Sequence, residues 1–106
     1  MFLNDVKNRL VKKGFIIEDE SSVVGQSGVK HQFSFIVLGK SGRVAIDVSD
    51  GSDLLKDIAC LYAKCLDAEI KEKIIILSGK VKVKKEIVKL AKDLRVKLMK
   101  LPLNQC

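Results

Sequence analysis

The sequence predicts a single α/β domain over residues 1–106, a mixed central β-sheet flanked by helices in the order α-β-β-β-α-β-α-β. Three observations predict it. Two alternating runs, Lys30–Leu38 and Arg43–Val48, flank Gly39-Lys40-Ser41-Gly42 and read as an antiparallel hairpin. Two amphipathic helical patterns then alternate with the apolar runs Lys73–Leu77 and Val96–Leu101, the pattern of a βαβ unit with buried parallel strands. The length of 106 residues matches one domain, typically ~100–150 residues.

Each element has a local reason. Phe2, Leu3, Val6 and Leu10 recur at helical spacing, and Lys12-Lys13-Gly14 closes that helix with cations and a terminal glycine. Phe15 to Glu18 reads as extended, and Gly25-Gln26-Ser27-Gly28 as a turn. Val44, Ile46 and Val48 share one strand face. Asp50-Gly51-Ser52 breaks the strand, with Ser52 as the expected N-cap and Asp53 in the first turn. Leu54, Leu55, Ile58, Leu61, Tyr62 and Cys65 form the next helix stripe, which ends near Ala68. Val83, Ile87, Leu90, Ala91 and Leu94 form the last one, with lysines on its other faces.

Composition excludes several classes. At 47% apolar and 31% charged residues the chain is globular rather than disordered. No apolar run approaches the ~18–20 residues of a membrane span, and the early charge at Asp5 does not fit a secretory leader; a cytoplasmic protein without a membrane partner is expected. Three cysteines, Cys60, Cys65 and Cys106, lack metal-ligand spacing, and Cys60 and Cys65 are expected reduced, in or near the core. His31 is the single histidine, which excludes a multi-histidine metal site and fits a structural bond to a neighbouring turn better than direct catalysis.

Charge is unevenly spread. Residues 1–69 carry nine Lys/Arg against ten Asp/Glu, whereas residues 70–106 carry eleven against three. One basic face follows as an expectation, and with it a polyanion partner; a lysine-rich surface of thermophilic type accounts for the same composition. Lys80, Lys82, Lys84 and Lys85 gather at the start of the last helix, where cations oppose the dipole but favour a phosphate. They are the expected nucleic-acid contacts. With few aromatic residues for base stacking, the readout is expected to be of the backbone, and of DNA rather than RNA.

The chain also resembles the restriction-endonuclease-like, or PD-(D/E)xK, superfamily in its archaeal RecB- and Mrr-like branch. The likeness rests on Gly25-Gln26-Ser27-Gly28-Val29-Lys30-His31-Gln32-Phe33-Ser34, on Val44-Ala45-Ile46-Asp47-Val48-Ser49, and on Ala63-Lys64-Cys65-Leu66-Asp67. It implies a DNA-directed nuclease in which an Asp at the hairpin and the acidic strand residue hold Mg²⁺ while a lysine positions water. Here Ser34 stands at the first position, Ser49 at the lysine, and only Asp47 keeps its expected type. One carboxylate and two hydroxyls suit Mg²⁺ poorly.

The resemblance therefore implies a non-catalytic nucleic-acid-binding or accessory domain with a degenerate centre: no cofactor, no metal, and Asp47, Ser34 and Ser49 as remnants. The alternatives are an active endonuclease with Mg²⁺ at Asp47, and a protein-interaction module, for instance a homodimer built on exposed edge strands or the apolar segment Leu98–Leu103. In the active alternative, Asp50, Asp53 or Asp57 would supply further carboxylates and Lys56 or Lys64 the migrated lysine. The simpler expectation places Asp50 and Asp53 in the turn and helix start, and Asp57 and Lys64 on a solvated face.

Overall fold

The computed structural model describes residues 2–101, with the backbone alone for Phe2. Cys106, Pro102 and Leu103 lie outside the described residues. Helix α1 (Phe2–Lys12) leads through a left-handed Gly14 to five strands: β1 (Ile16–Ile17), β2 (Ser22–Val24), β3 (Lys30–Gln32), β4 (Phe35–Gly39) and β5 (Gly42–Ser49). Helix α2 (Leu54–Ala68), strand β6 (Glu72–Ser78), helix α3 (Lys85–Asp93) and strand β7 (Val96–Leu101) follow.

The main sheet has the order β1-β4-β5-β6-β7. Its first half is antiparallel, with Phe35 opposite Ile46 and Gly39 opposite Gly42 across the hairpin. Its second half is parallel, with Ile46 beside Ile74 and Ile75 beside Leu98. The architecture is the mixed α/β sheet that the patterning predicts, with helices on both faces. Strand alternation divides the core accordingly. Ile36, Ala45, Ile75 and Leu77 pack against Ile58, Leu61 and Cys65 of α2 and Ala91 of α3. Val37, Val44, Ile46 and Ile76 pack against Val6 and Leu10 of α1. Complete burial of side chains such as Ile58 and Leu61 stabilises the domain by roughly 1.5–3 kcal/mol each.

Several expectations need correction. Before α2 there are five strands rather than three, because Ser22–Val24 forms an additional strand and the Lys30–Leu38 run is cut at Phe33-Ser34. Phe33 N–H donates to Ser21 O and Ser34 N–H donates to the Asp47 carboxylate, so β3 turns away to pair with β2 while β4 joins the main sheet. The N-cap of α2 is Asp53, whose carboxylate accepts from Lys56 N–H at 3.2 Å, not Ser52, which instead donates to Asp50. Cys60 is exposed; only Cys65 is buried, and that burial pushes its thiol up to about 11.

Basic residues of the second half fall at two ends of the sheet. Lys71 and Lys73 flank the start of β6, whereas Lys80, Lys82, Lys84 and Lys85 follow its end. Seven strand residues at about 3.3 Å each put roughly 20 Å between these groups.

Candidate functional site

The site is built where β5 emerges beside the β3–β4 break. Odd-numbered residues of β5 face α2, which brings Asp47 and Ser49 against that helix. Each is then bonded on more than one side. Asp47 Oδ1 accepts from Ser34 N–H at 2.9 Å, and Asp47 Oδ2 accepts from Lys64 Nζ at 2.8 Å. Ser34 Oγ in turn accepts from Val48 N–H at 3.1 Å. Ser49, only 3% exposed, donates from Oγ to Asp57 Oδ2 at 2.5 Å and accepts from Gly51 N–H at 3.0 Å.

Lys64 is therefore not on a solvated face. Its ammonium also donates to Gln32 O at 2.7 Å and stands 4.6 Å from the centre of the Phe33 ring. Three partners, Asp47 on β5 and Gln32 O and the Phe33 ring at the β3–β4 break, meet at this one cation. Asp57 likewise is half-buried and receives the Ser49 hydroxyl.

Three residues down α2, Asp67 gathers a second cluster. Its carboxylate accepts from Ser27 N–H at 3.0 Å, Ser27 Oγ–H at 2.6 Å and His31 Nε2 at 2.6 Å. Gln26 N–H donates to the Asp67 carbonyl, and the Gln26 amide reaches the Glu69 carboxylate. The Ser27 hydroxyl first, then His31 and the Ser27 N–H, hold the Asp67 carboxyl down to about 2. Gly25 is required here because a Cβ would overlap the Asp67 carboxylate itself. His31 thus bonds across to α2 rather than to a neighbouring turn.

The three sequence motifs are consequently one assembly. Lys64 holds the strand motif and Asp67 holds the glycine turn and His31, so α2 ties the β2–β3 hairpin to the sheet. The pairs involved are separated by 17, 36 and 40 residues, and no local pattern announces them. Their joint occurrence was the available signal.

A cleft of about 520 Å³ opens beside this cluster, lined by Ser34, Ser49, Asp50, Asp53, Lys56 and Asp57. Among the described residues no three His, Cys, Asp or Glu side chains converge as metal ligands. A hard divalent cation seeks six or more oxygens. Asp47 offers none that is unengaged, and the hydroxyls of Ser34 and Ser49 are taken up by the backbone and by Asp57. These residues do not fit Mg²⁺ in their present arrangement. Lys80, Lys82, Lys84 and Lys85 stand at the same end of the sheet, for Val81 packs over Gly51, where an added Cβ would come within 2.7 Å of it. Lys84 caps α3 without a side-chain hydrogen bond.

Fold and site together define a mixed α/β domain whose helices clamp both sheet faces. No protein-family model matches the chain, and no curated protein sequence does. Among solved structures it is similar to the crystal structure of AF1548, a protein of unknown function, at 22% identity and a TM-score of 0.76, over 92% of this chain and 55% of that one. It is also similar to Pyrococcus furiosus SfsA in complex with Ca²⁺, at 14% identity and a TM-score of 0.57, over 95% of this chain and 54% of that one. The likeness is one of fold, and the chain spans about half the length of either structure. Among the described residues, no helix is long and apolar enough to cross a membrane.

Proposed function

We propose that this chain is a non-catalytic nucleic-acid-binding domain on a restriction-endonuclease-like core, in which the nuclease centre has become a structural clasp. The observation that carries the reading is the double engagement of Asp47 by Ser34 N–H and Lys64. A metal there would have to share the carboxylate with a charge-assisted bond to a cation, and the hydroxyls at positions 34 and 49 add little to hold it. Lys80, Lys82, Lys84 and Lys85 then supply the phosphate contacts at the same end of the sheet, beside a helix start that lacks a cap.

The test is binding and cleavage of duplex DNA by the purified protein. Weak, sequence-independent binding of roughly 10⁻⁴–10⁻⁶ M is expected, falling steeply with salt. No cleavage is expected with Mg²⁺ or Mn²⁺. A second reading, the rearranged nuclease, draws on Lys64 Nζ lying 2.8 Å from Asp47, where a migrated lysine would stand. Metal-dependent cutting that Asp47→Ala abolishes establishes that reading. Absence of DNA binding at low salt favours the protein-interaction module.

A further inference from the structure

The opposite end and face of the molecule carry a different surface. A groove of about 640 Å³ runs over the starts of β6 and β7, floored by Phe15, Val44, Ile74 and Met99. It shares Phe15, Ile74 and Met99 with an apolar hollow of about 150 Å³ under the edge of α1, so the two are continuous. The hollow is closed below by Leu10, Ile46, Ile76 and Leu101. Helix α1 is the one described helix on this face, and Ile74 and Met99 beside it remain half-buried.

The rim is predominantly basic. Lys40, Lys71, Arg95 and Lys97 line the mouth, and Arg9 and Lys13 line the hollow. None of the six stands in an ion pair among the described residues. Among the described residues Glu72 is the single carboxylate lining either space, while Lys73 turns its ammonium away to the Tyr62 ring. Unneutralised cations around an apolar floor select a partner that is acidic and carries an apolar anchor. The hollow matches in volume an apolar cavity of ~150 Å³ that admits benzene, so it accepts one large side chain and is too small for an acyl chain.

We infer that this groove is a docking site for an acidic protein segment that inserts one phenylalanine- or leucine-sized side chain between α1 and the β6–β7 half of the sheet. The segment's carboxylates meet Arg95, Lys97 and Lys40, and its anchor displaces water from Ile74, Met99 and Leu101. Nucleic acid lacks the anchor, so this surface is distinct in chemistry from the lysines after β6.

The probes are short fluorescein-labelled peptides of glutamate around one phenylalanine, the same peptide with alanine at the centre, and duplex DNA as competitor. Anisotropy is expected to show the phenylalanine peptide binding about tenfold more tightly than the alanine one. The surface variant Arg95→Glu with Lys97→Glu is expected to abolish binding while leaving the circular dichroism unchanged. Backbone amide shifts are expected at Ile74, Met99 and Leu101. Equal affinity for the two peptides, shifts confined to residues 80–85, displacement of the peptide by DNA, or no binding at low salt would each overturn the inference. The DNA-binding proposal stands or falls separately, on reversal of Lys82, Lys84 and Lys85.

Discussion

Lys64 and Asp67 lie one helical turn apart on α2 and hold two distant pieces of chain, so their loss should be felt well away from the helix. In Lys64→Met the Asp47 carboxylate, 19% exposed, keeps the Ser34 N–H but loses its counter-ion. Discounted for that partial exposure, the expected loss is about 1–3 kcal/mol, read as a lower urea midpoint with an unchanged slope. Asp47→Asn in the same background should recover part of it, because the uncompensated charge is gone. Asp67 sets an acid limit. Its folded-state pKa of about 2 lies below the ordinary value of 3.8, so its contribution is complete above the latter and drains away as pH falls from one to the other. Asp67→Asn should flatten the thermal midpoint across that acid interval while lowering it at neutral pH. A wild-type profile no steeper than the variant's would show that the cluster is not coupled to folding.

At the scale of elements, periodicity made all three helices and the β4–β7 core legible, since each buries one stripe or one alternation. The extended reading of Phe15 to Glu18 holds β1, but the β2–β3 pairing was not legible, because three residues of pairing carry no periodic signal and the break at Phe33-Ser34 is set by Asp47, thirteen positions onward. Asp47, Ser34 and Ser49 are grouped by the resemblance of their motifs, not by periodicity; the place of Lys64 is hidden because a helix wheel cannot show a partner on another element. The loops carry their own tests. Gly51 sits at φ +83 against Val81, so Gly51→Ala combines left-handed strain with overlap and should destabilise by on the order of 1–3 kcal/mol. Lys84 occupies an N-cap with extended backbone and no capping bond. Lys84→Asp should therefore stabilise the domain by about 0.5–2 kcal/mol while weakening DNA binding. A variant that is more stable yet binds DNA as before would remove Lys84 from the contact surface.

For the whole molecule, positive charge in the second half gathers at two ends of the sheet, a distribution that a linear count does not show. Reversal of Lys82, Lys84 and Lys85 to Glu should weaken DNA binding for every sequence alike and flatten its salt dependence, whereas reversal of Arg95 and Lys97 should leave it nearly untouched. If both triplet and pair weaken it equally, the cations act as a diffuse field rather than as a located contact. The two cysteines of α2 have a further use. Five residues apart on one helix, Cys60 faces water while Cys65 sits at 1% exposure with its thiol held protonated to about pH 11. With Cys60 and Cys106 replaced by serine, alkylation reports on Cys65 alone, and at 1% exposure it requires local opening around α2. Its labelling rate becomes a clock for that opening, and it should tick at the same pace as exchange of the β6 amides if the domain opens as one cooperative unit.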